Sequence, residues 1–444
     1  MRSPLINPRP DSARIWAGRL LLIAFVWSCA GRVSADGIGR RFPSEKTSYV
    51  DKVSGFAITV LTTNHFNDSK IYQTHPQWTA DGKYIIFRSN RNTNSSQAFA
   101  VNEATGEIIQ VTDGIGNNTS TLNIARKSMK LYFLRGGRGG SGVTQFIEED
   151  LAKIFADSEA GTMKDASAYE RVCASLPAGM GESGGFGLDA NEKTAYIGVH
   201  GGDVGTHLPP GVVPMGIPAG ARMGAGPGGL RSVNLETGEV KVIADVPFQM
   251  GHVQANPWVP GEIVFAHETG GDAPQRTWTI LADGTGYRPL YIETPDEWVT
   301  HEAIIGKDEV VFNILGHIPR LRTKPSGIGV INLRTKEMKL YGQISAGQGG
   351  PGAKETGAGF WHSNGSPDGR WLAGDTFAGN VWLINRATGE MTLLTTDHKM
   401  RPDHTHPTFS TDSKRILIQS GLLSNGENLN LMVITIPQSI LSRT

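Results

Sequence analysis

The feature that most restricts what this chain can fold into is a unit that returns along it. Thr74-His75-Pro76-Gln77-Trp78-Thr79-Ala80-Asp81-Gly82-Lys83 leads into the β-prone Tyr84-Ile85-Ile86-Phe87. Thr405-His406-Pro407-Thr408-Phe409-Ser410-Thr411-Asp412-Ser413-Lys414 leads into Arg415-Ile416-Leu417-Ile418. Trp361-His362-Ser363-Asn364-Gly365-Ser366-Pro367-Asp368-Gly369-Arg370 leads into Trp371-Leu372-Ala373. In all three the histidine stands six residues before the aspartate. Each unit reads as a strand, a tight turn and a second strand. A later turn repeats as well: Asn102-Glu103-Ala104-Thr105-Gly106, Asn234-Leu235-Glu236-Thr237-Gly238, Asn385-Arg386-Ala387-Thr388-Gly389 and a weaker copy, Asn332-Leu333-Arg334-Thr335-Lys336. Fainter starts near Leu122, Gly187, His252 and His301 bring the units to seven. Four-stranded units in that number predict an all-β, seven-bladed β-propeller over 54–438. A lone strand at 57–62 is expected to pair with the last unit, closing the ring from both chain ends. The alternative is a β-sandwich or two sheet domains, because strand signals alone do not count blades.

Two excursions interrupt the period, at 136–169 with a short helix expected over 148–158, and at 201–229, rich in Gly, Pro and Met. The glycine run at 136–142 invites a phosphate-loop reading, but no apolar helical pattern follows it. Lys plus Arg and Asp plus Glu each total 42, so no basic stripe exists for nucleic acid. Arginines at 2, 9, 14 and 19, an apolar run over 20–27 and Val33-Ser34-Ala35 read as a signal peptide, 1–35, cut after Ala35. Export to the periplasm or the medium is the expectation; lipidation of Cys29 is the lesser alternative, since Trp27 fits that pattern poorly. No further stretch is long and apolar enough to span a bilayer. Residues 36–53 read as a linker and 439–444 as a tail. Loss of the signal leaves Cys173 alone, so no internal disulfide is expected. The oligomeric state is not set by the sequence.

In a propeller the innermost strands line a common axis, so residues at one repeat phase become neighbours. His75, His362 and His406 share a phase; His301 reaches it with one deletion, His252 lies one step away, and His404 shares a strand face with His406. Six of the chain's 12 histidines are thus expected near one channel mouth. Convergent imidazoles suit a transition metal such as manganese, zinc or iron, with His362, His404 and His406 as the expected ligands. The bland reading has these rings bonding backbone in the next blade. Around them stand His252-Val253-Gln254, Ala266-His267-Glu268, Arg276-Thr277-Trp278 and Val299-Thr300-His301-Glu302. An arginine beside histidines suits an anionic substrate, an exposed salt bridge being the other reading of Arg276.

Through these segments and residues 362–368, the chain resembles the oligogalacturonate lyase family, whose propeller repeats are similar to the TolB type. The resemblance covers roughly 54–437. It implies a lyase that cleaves acidic oligosaccharides by β-elimination with a bound divalent metal, typically manganese. It implies His301 as base, Arg276 as partner of the substrate carboxylate, and His362, His404 and His406 as metal ligands; His75, His252, Gln254 and His267 are the residues expected to line the substrate. The family's glutamine ligand shortly before the last histidine pair has no counterpart in Lys399-Met400-Arg401-Pro402-Asp403. The competing function is a non-catalytic secreted propeller that binds protein or glycan. A hydrolase is the lesser alternative.

Overall fold

The structure, a computed structural model, describes residues 37–63, 65–91, 95–136, 142–344 and 359–443. The expected signal peptide, Cys29 and most of the glycine run lie outside the described residues. Seven antiparallel sheets follow one another as the blades of a β-propeller. Blade 1 holds Ser69–Lys70, Tyr84–Ser89, Gln97–Asn102 and Ile108–Gln110, with Arg41–Phe42 added at its outer edge. Blade 2 holds Asn117–Ile124, Lys130–Arg135, Gln145–Asp150 and Glu170–Ser175; blade 3 holds Met180–Leu188, Thr194–Gly201, Ala225–Asn234 and Val240–Phe248. Blade 4 holds Met250–Ala255, Glu262–His267, Thr277–Leu281 and Arg288–Pro289; blade 5 holds Val299–Gly306, Glu309–Ile314, Gly327–Asn332 and Met338–Tyr341. Blade 6 holds Phe360–Gly365, Trp371–Thr376, Val381–Asn385 and Met391–Thr395. Blade 7 joins Thr408–Phe409, Arg415–Ser420 and Asn430–Thr435 to Ala57–Val60 and Thr47–Val50, with Ile58 opposite Ile434.

Alternation along the strands sends apolar side chains to both faces of each sheet, so the core lies between blades. Seven buried clusters result, each joining two neighbouring blades. One of them packs Leu417, Leu431 and Val433 of blade 7 against Phe87 and Phe99 of blade 1. The expected linker at 36–53 is instead built into the sheets as the edge strands Arg41–Phe42 and Thr47–Val50. The helix of the first excursion is Leu151–Ala160 rather than 148–158. Glu148 and Glu149 belong to a strand, and the Asp150 side chain accepts the Lys153 N–H at 3.0 Å, fixing the helix start. The expected tail contributes a short helix, Gln438–Leu441, that buries Ile440.

The repeated turns share their chemistry. Thr79, Ser366 and Ser410 hydroxyls donate to Asp81, Asp368 and Asp412 at 2.6, 2.6 and 2.5 Å. Asn102, Asn234, Asn332 and Asn385 each accept two backbone N–H groups from the residues two and three further on. These turns end on a left-handed residue, Gly106, Gly238 and Gly389 at φ 79, 79 and 75°, and in the weaker copy Lys336 at φ 64°.

Candidate functional site

Near one end of the propeller axis the innermost strands of blades 2 to 6 fall out of step with their neighbours. The register breaks between Asn118 and Asn123, Glu182 and Phe186, Gly251 and Gln254, Thr300 and Ala303, and Phe360 and His362. A bulge turns a side chain out of its sheet and re-aims it. His252 and His301 sit in two of these bulges at φ 50 and 56°, and His406, just before the inner strand of blade 7, is at φ 47°. Left-handed backbone at a non-glycine residue costs on the order of 1–3 kcal/mol, and three imidazoles at one mouth carry it.

The rings converge. Centroids of His362 and His406 are 3.7 Å apart, His301 and His362 4.2 Å, His362 and His404 5.1 Å, and His252 and His301 6.4 Å. Tyr72, which the sequence reading missed, packs edge-on against His252, His406 and His362 at 5.4, 5.2 and 6.3 Å. It comes from the loop that replaces the middle of blade 1's inner strand, where nothing in the repeat marks it.

His301 donates its Nδ1–H to the Trp361 carbonyl. A carbonyl has no proton to give, so this bond fixes the neutral tautomer that leaves Nε2 with a bare lone pair. Burial, then repulsion from His362 and Arg276, holds the His301 pKa well below the ordinary imidazole range. Burial with His406 and His404 as neighbours does the same to His362, and burial lowers His404.

The Nδ1 atoms of His362 and His404 are buried and have no hydrogen-bond partner among the described residues. His362, His404 and Asp375 form a group in which one ring nitrogen of each histidine and a carboxylate oxygen lie within 4.8 Å of one another. Two imidazoles that burial keeps from protonating, beside a carboxylate, fit a divalent transition-metal ion. Asp375 also accepts the His362 N–H at 2.7 Å, the Thr405 N–H and hydroxyl at 3.1 and 2.9 Å, and the His406 N–H at 3.3 Å. It therefore ties the 404–406 loop to blade 6, and its Oδ2 lies 3.5 Å from His362 Nδ1. His406 is placed differently from its expected role: its Nδ1 and Nε2 face Gln73 Oε1 at 3.3 Å and Asp403 Oδ1 at 3.2 Å. Asp403, held far below the usual carboxylate range by His406 against the opposing effect of burial, also accepts from Gln419 at 3.0 Å.

The blade-4 wall is a charge cluster. Arg276 Nη2 lies 3.1 Å from Glu268 and its Nε 3.6 Å from Glu302; His252 sits between the same two carboxylates at 3.3 Å from each. Burial raises the Glu268 pKa, but Arg276 and His252 outweigh it and hold the group at about 2. Arg276 is thus paired with two protein carboxylates. Both glutamates directly follow histidines that the sequence reading had singled out, a signal that was available.

Two expected substrate residues are internal braces instead. Gln254 donates to the Glu302 carbonyl at 2.8 Å and accepts the Ile304 N–H at 3.1 Å, stitching blade 4 to blade 5. His267 stacks on Phe248 at 4.6 Å and bonds the Gly224 carbonyl at 3.0 Å. His75 does line the mouth, with Nδ1 3.3 Å from the Asn123 amide, and burial pushes its pKa down to about 4.

Beside the imidazoles opens a cavity of about 340 Å³, within the range of small-ligand sites. Its walls include Lys70, Tyr72, Arg88, His252, Glu268, Asp403 and His406. Burial pushes the Lys70 ammonium down to about 7, an effect only partly offset by Asp403 and Asp375.

Among solved structures, an oligogalacturonate lyase in complex with manganese matches with a TM-score of 0.72 at 20% identity, covering 92% of this chain and 100% of that one. An oligogalacturonate lyase from Vibrio parahaemolyticus matches at 0.71 and 17%, covering 91% and 100%. The chain shares their fold. The RRP9 WD40 repeats, at 0.51 and 11% over 88% and 100%, show how much less a propeller with a different repeat overlaps. No family model and no curated protein matches the sequence. At such identity the likeness establishes the fold, and the chemistry rests on the side chains.

Proposed function

We propose that the protein is a metal-dependent lyase that cleaves oligouronides, chains of the galacturonate type, by β-elimination to 4,5-unsaturated products. One observation carries this reading: His301, locked as a neutral Nδ1–H tautomer, presents a bare Nε2 with its ring 4.2 Å from that of His362, a member of the His362, His404 and Asp375 group that fits a divalent ion. A C5 proton of a uronate is acidified by its own carboxylate, and abstraction near neutral pH needs an unprotonated base. His301 Nε2 takes that proton; the C5–H electron pair becomes the C4–C5 double bond, the C4–O4 bond breaks, and the departing sugar oxygen acquires a proton. No water enters the products.

The Trp361 carbonyl keeps the ring aimed and the tautomer fixed throughout. The burial that disfavours imidazolium helps His301 to release the proton afterwards. His362 and His404, with Asp375 alongside, would hold the ion, manganese being the expectation taken from the similar lyase. When bound, such an ion withdraws charge from the substrate carboxylate. Arg276, Glu268 and Glu302 fix His252 and hence the wall against which the sugar lies. The reading is tested by incubating the purified chain with galacturonate, glucuronate and mixed oligouronides, with manganese or with chelator. Growth of the ultraviolet absorbance of a conjugated enoate, abolished by chelator, is expected; its absence with every oligouronide would overturn the reading. A metal-free chain that binds glycan without product would instead support the scaffold.

A further inference from the structure

The inner strands that enter at the histidine mouth leave at the other end of the axis, where they gather a different set of residues. Met250–Ala255 leads from His252 toward Trp258, Val299–Gly306 from His301 to Ile304 and Ile305, and Asn117–Ile124 ends two residues before Arg126. The segment 72–77 lies between the two ends: Tyr72 walls the mouth cavity, whereas Pro76 and Gln77 wall a second cavity of about 50 Å³ at the far end. Arg126 also lines that second cavity, with its guanidinium carbon 4.6 Å from the Trp258 ring centroid. It is the one charged residue among the described residues that line it.

A guanidinium carries five N–H donors, and lying over an indole ring uses none of them. The Arg126 Nε is closed off from solvent and has no hydrogen-bond partner among the described residues. Glu192, the acid that acts on it, is engaged elsewhere, accepting the Lys127 N–H at 2.7 Å and the Ser128 hydroxyl at 2.8 Å. Burial therefore pushes the Arg126 pKa down to about 10, and Glu192 offsets only part of that. A cation held out of water without a counter-charge is destabilising, and a small anion in the cavity removes that penalty. At about 10–15 Å³ for each water-sized occupant, the space admits a halide or a single carboxylate group and excludes a sugar ring.

We propose that the far end of the channel binds a small monovalent anion, a halide or a carboxylate of formate size, between the Arg126 guanidinium and the wall formed by Pro76 and Gln77. The site is separate from the mouth and independent of the chemistry there. An anion at this place secures, from behind, the segment that carries Tyr72 and His75 to the imidazoles.

The test is thermal unfolding of the full chain at fixed pH and ionic strength in sodium Hepes, whose anion is too bulky for the cavity. Part of the salt is replaced by sodium chloride or, separately, by sodium formate, which distinguishes the two sources of the ligand. The anion that the site takes should raise the midpoint along a saturating curve, by about 3–5 °C at about a hundredfold excess over its dissociation constant. Arg126→Met should lose the rise, and in Hepes alone should unfold no earlier than the parent, since it no longer buries an unmatched charge. If that variant fails to fold, crystals of the parent soaked in bromide or formate decide: density for either ion within hydrogen-bond reach of the Arg126 N–H groups supports the site. No saturating rise in the parent, a rise that persists in Arg126→Met, or density for neither ion beside Arg126 overturns it.

Discussion

The propeller's repeated turns and its mouth bulges use the same repeat to opposite ends. In the turns both backbone and side chains recur: the Asn side chain accepts the same pair of N–H groups four times, and the hydroxyl–aspartate pair returns in blades 1, 6 and 7. At the mouth the backbone irregularity recurs while the side chain changes: glycines in blade 3, His252 in blade 4, His301 in blade 5. Regularity in side chains marks what the fold needs, whereas a repeated bulge with varying residues marks where the fold is being used. Substitutions in the turns should therefore change stability and spare chemistry, and those at the mouth mostly the reverse.

The sharpest separation is expected from His301→Asn. Loss of a positioned general base lowers turnover on the order of 10²–10⁴-fold, while thermal unfolding and manganese content should match the parent. Turnover within a few-fold of the parent would move the base elsewhere. Asp375→Asn sits on the border between the two regions. It replaces a buried acceptor of three N–H groups and a hydroxyl with an amide that meets N–H with N–H, so about 2–4 kcal/mol should be lost in denaturant titrations. Manganese retention should fall with it, because the same residue places His362 and the 404–406 loop.

Away from the mouth, His398 is wedged between the hydroxyls of Ser420 and Thr395 at 2.7 and 3.1 Å, and burial pushes its pKa down to about 4. The unfolded chain binds a proton near the ordinary imidazole pKa of about 6.5 that the fold refuses. Stability from this group is therefore whole above about pH 6.5 and is lost as pH falls toward 4, on the order of 3 kcal/mol by the linkage relation. His398→Gln should flatten that part of the stability–pH curve measured by urea unfolding, with product formation unaffected. Smallest is the turn itself. A Cβ on Gly389 meets nothing within 4 Å, so Gly389→Ala should cost only left-handed strain, about 1 kcal/mol. Lys336→Gly, at the same turn position in blade 5, should change stability in the opposite direction by no more than that.

What the sequence disclosed follows the same division. The seven units, their Asp-Gly and Asn-x-x-Thr-Gly turns and the convergence of His252, His301, His362, His404 and His406 were legible because each is tied to a repeat phase. Tyr72 and Asp375 were not, because their roles depend on contacts between blades that no local pattern encodes. Arg276 and Gln254 were expected to face the substrate; their partners in the fold, Glu268 and Glu302 for one and the blade-5 backbone for the other, come to them only once blades 4 and 5 are side by side. Whether the expected linker was a strand could not be read either, since Thr47–Val50 takes its place only by pairing with Ala57–Val60.

The central claim, elimination at a mouth of converged imidazoles, is tested most directly by weighing the products of trigalacturonate treated with the manganese-loaded chain. Elimination predicts fragment masses that sum to that of the substrate, one fragment lighter by a water than its saturated counterpart. Fragments whose masses sum to substrate plus water, or intact trigalacturonate after prolonged incubation, would contradict it.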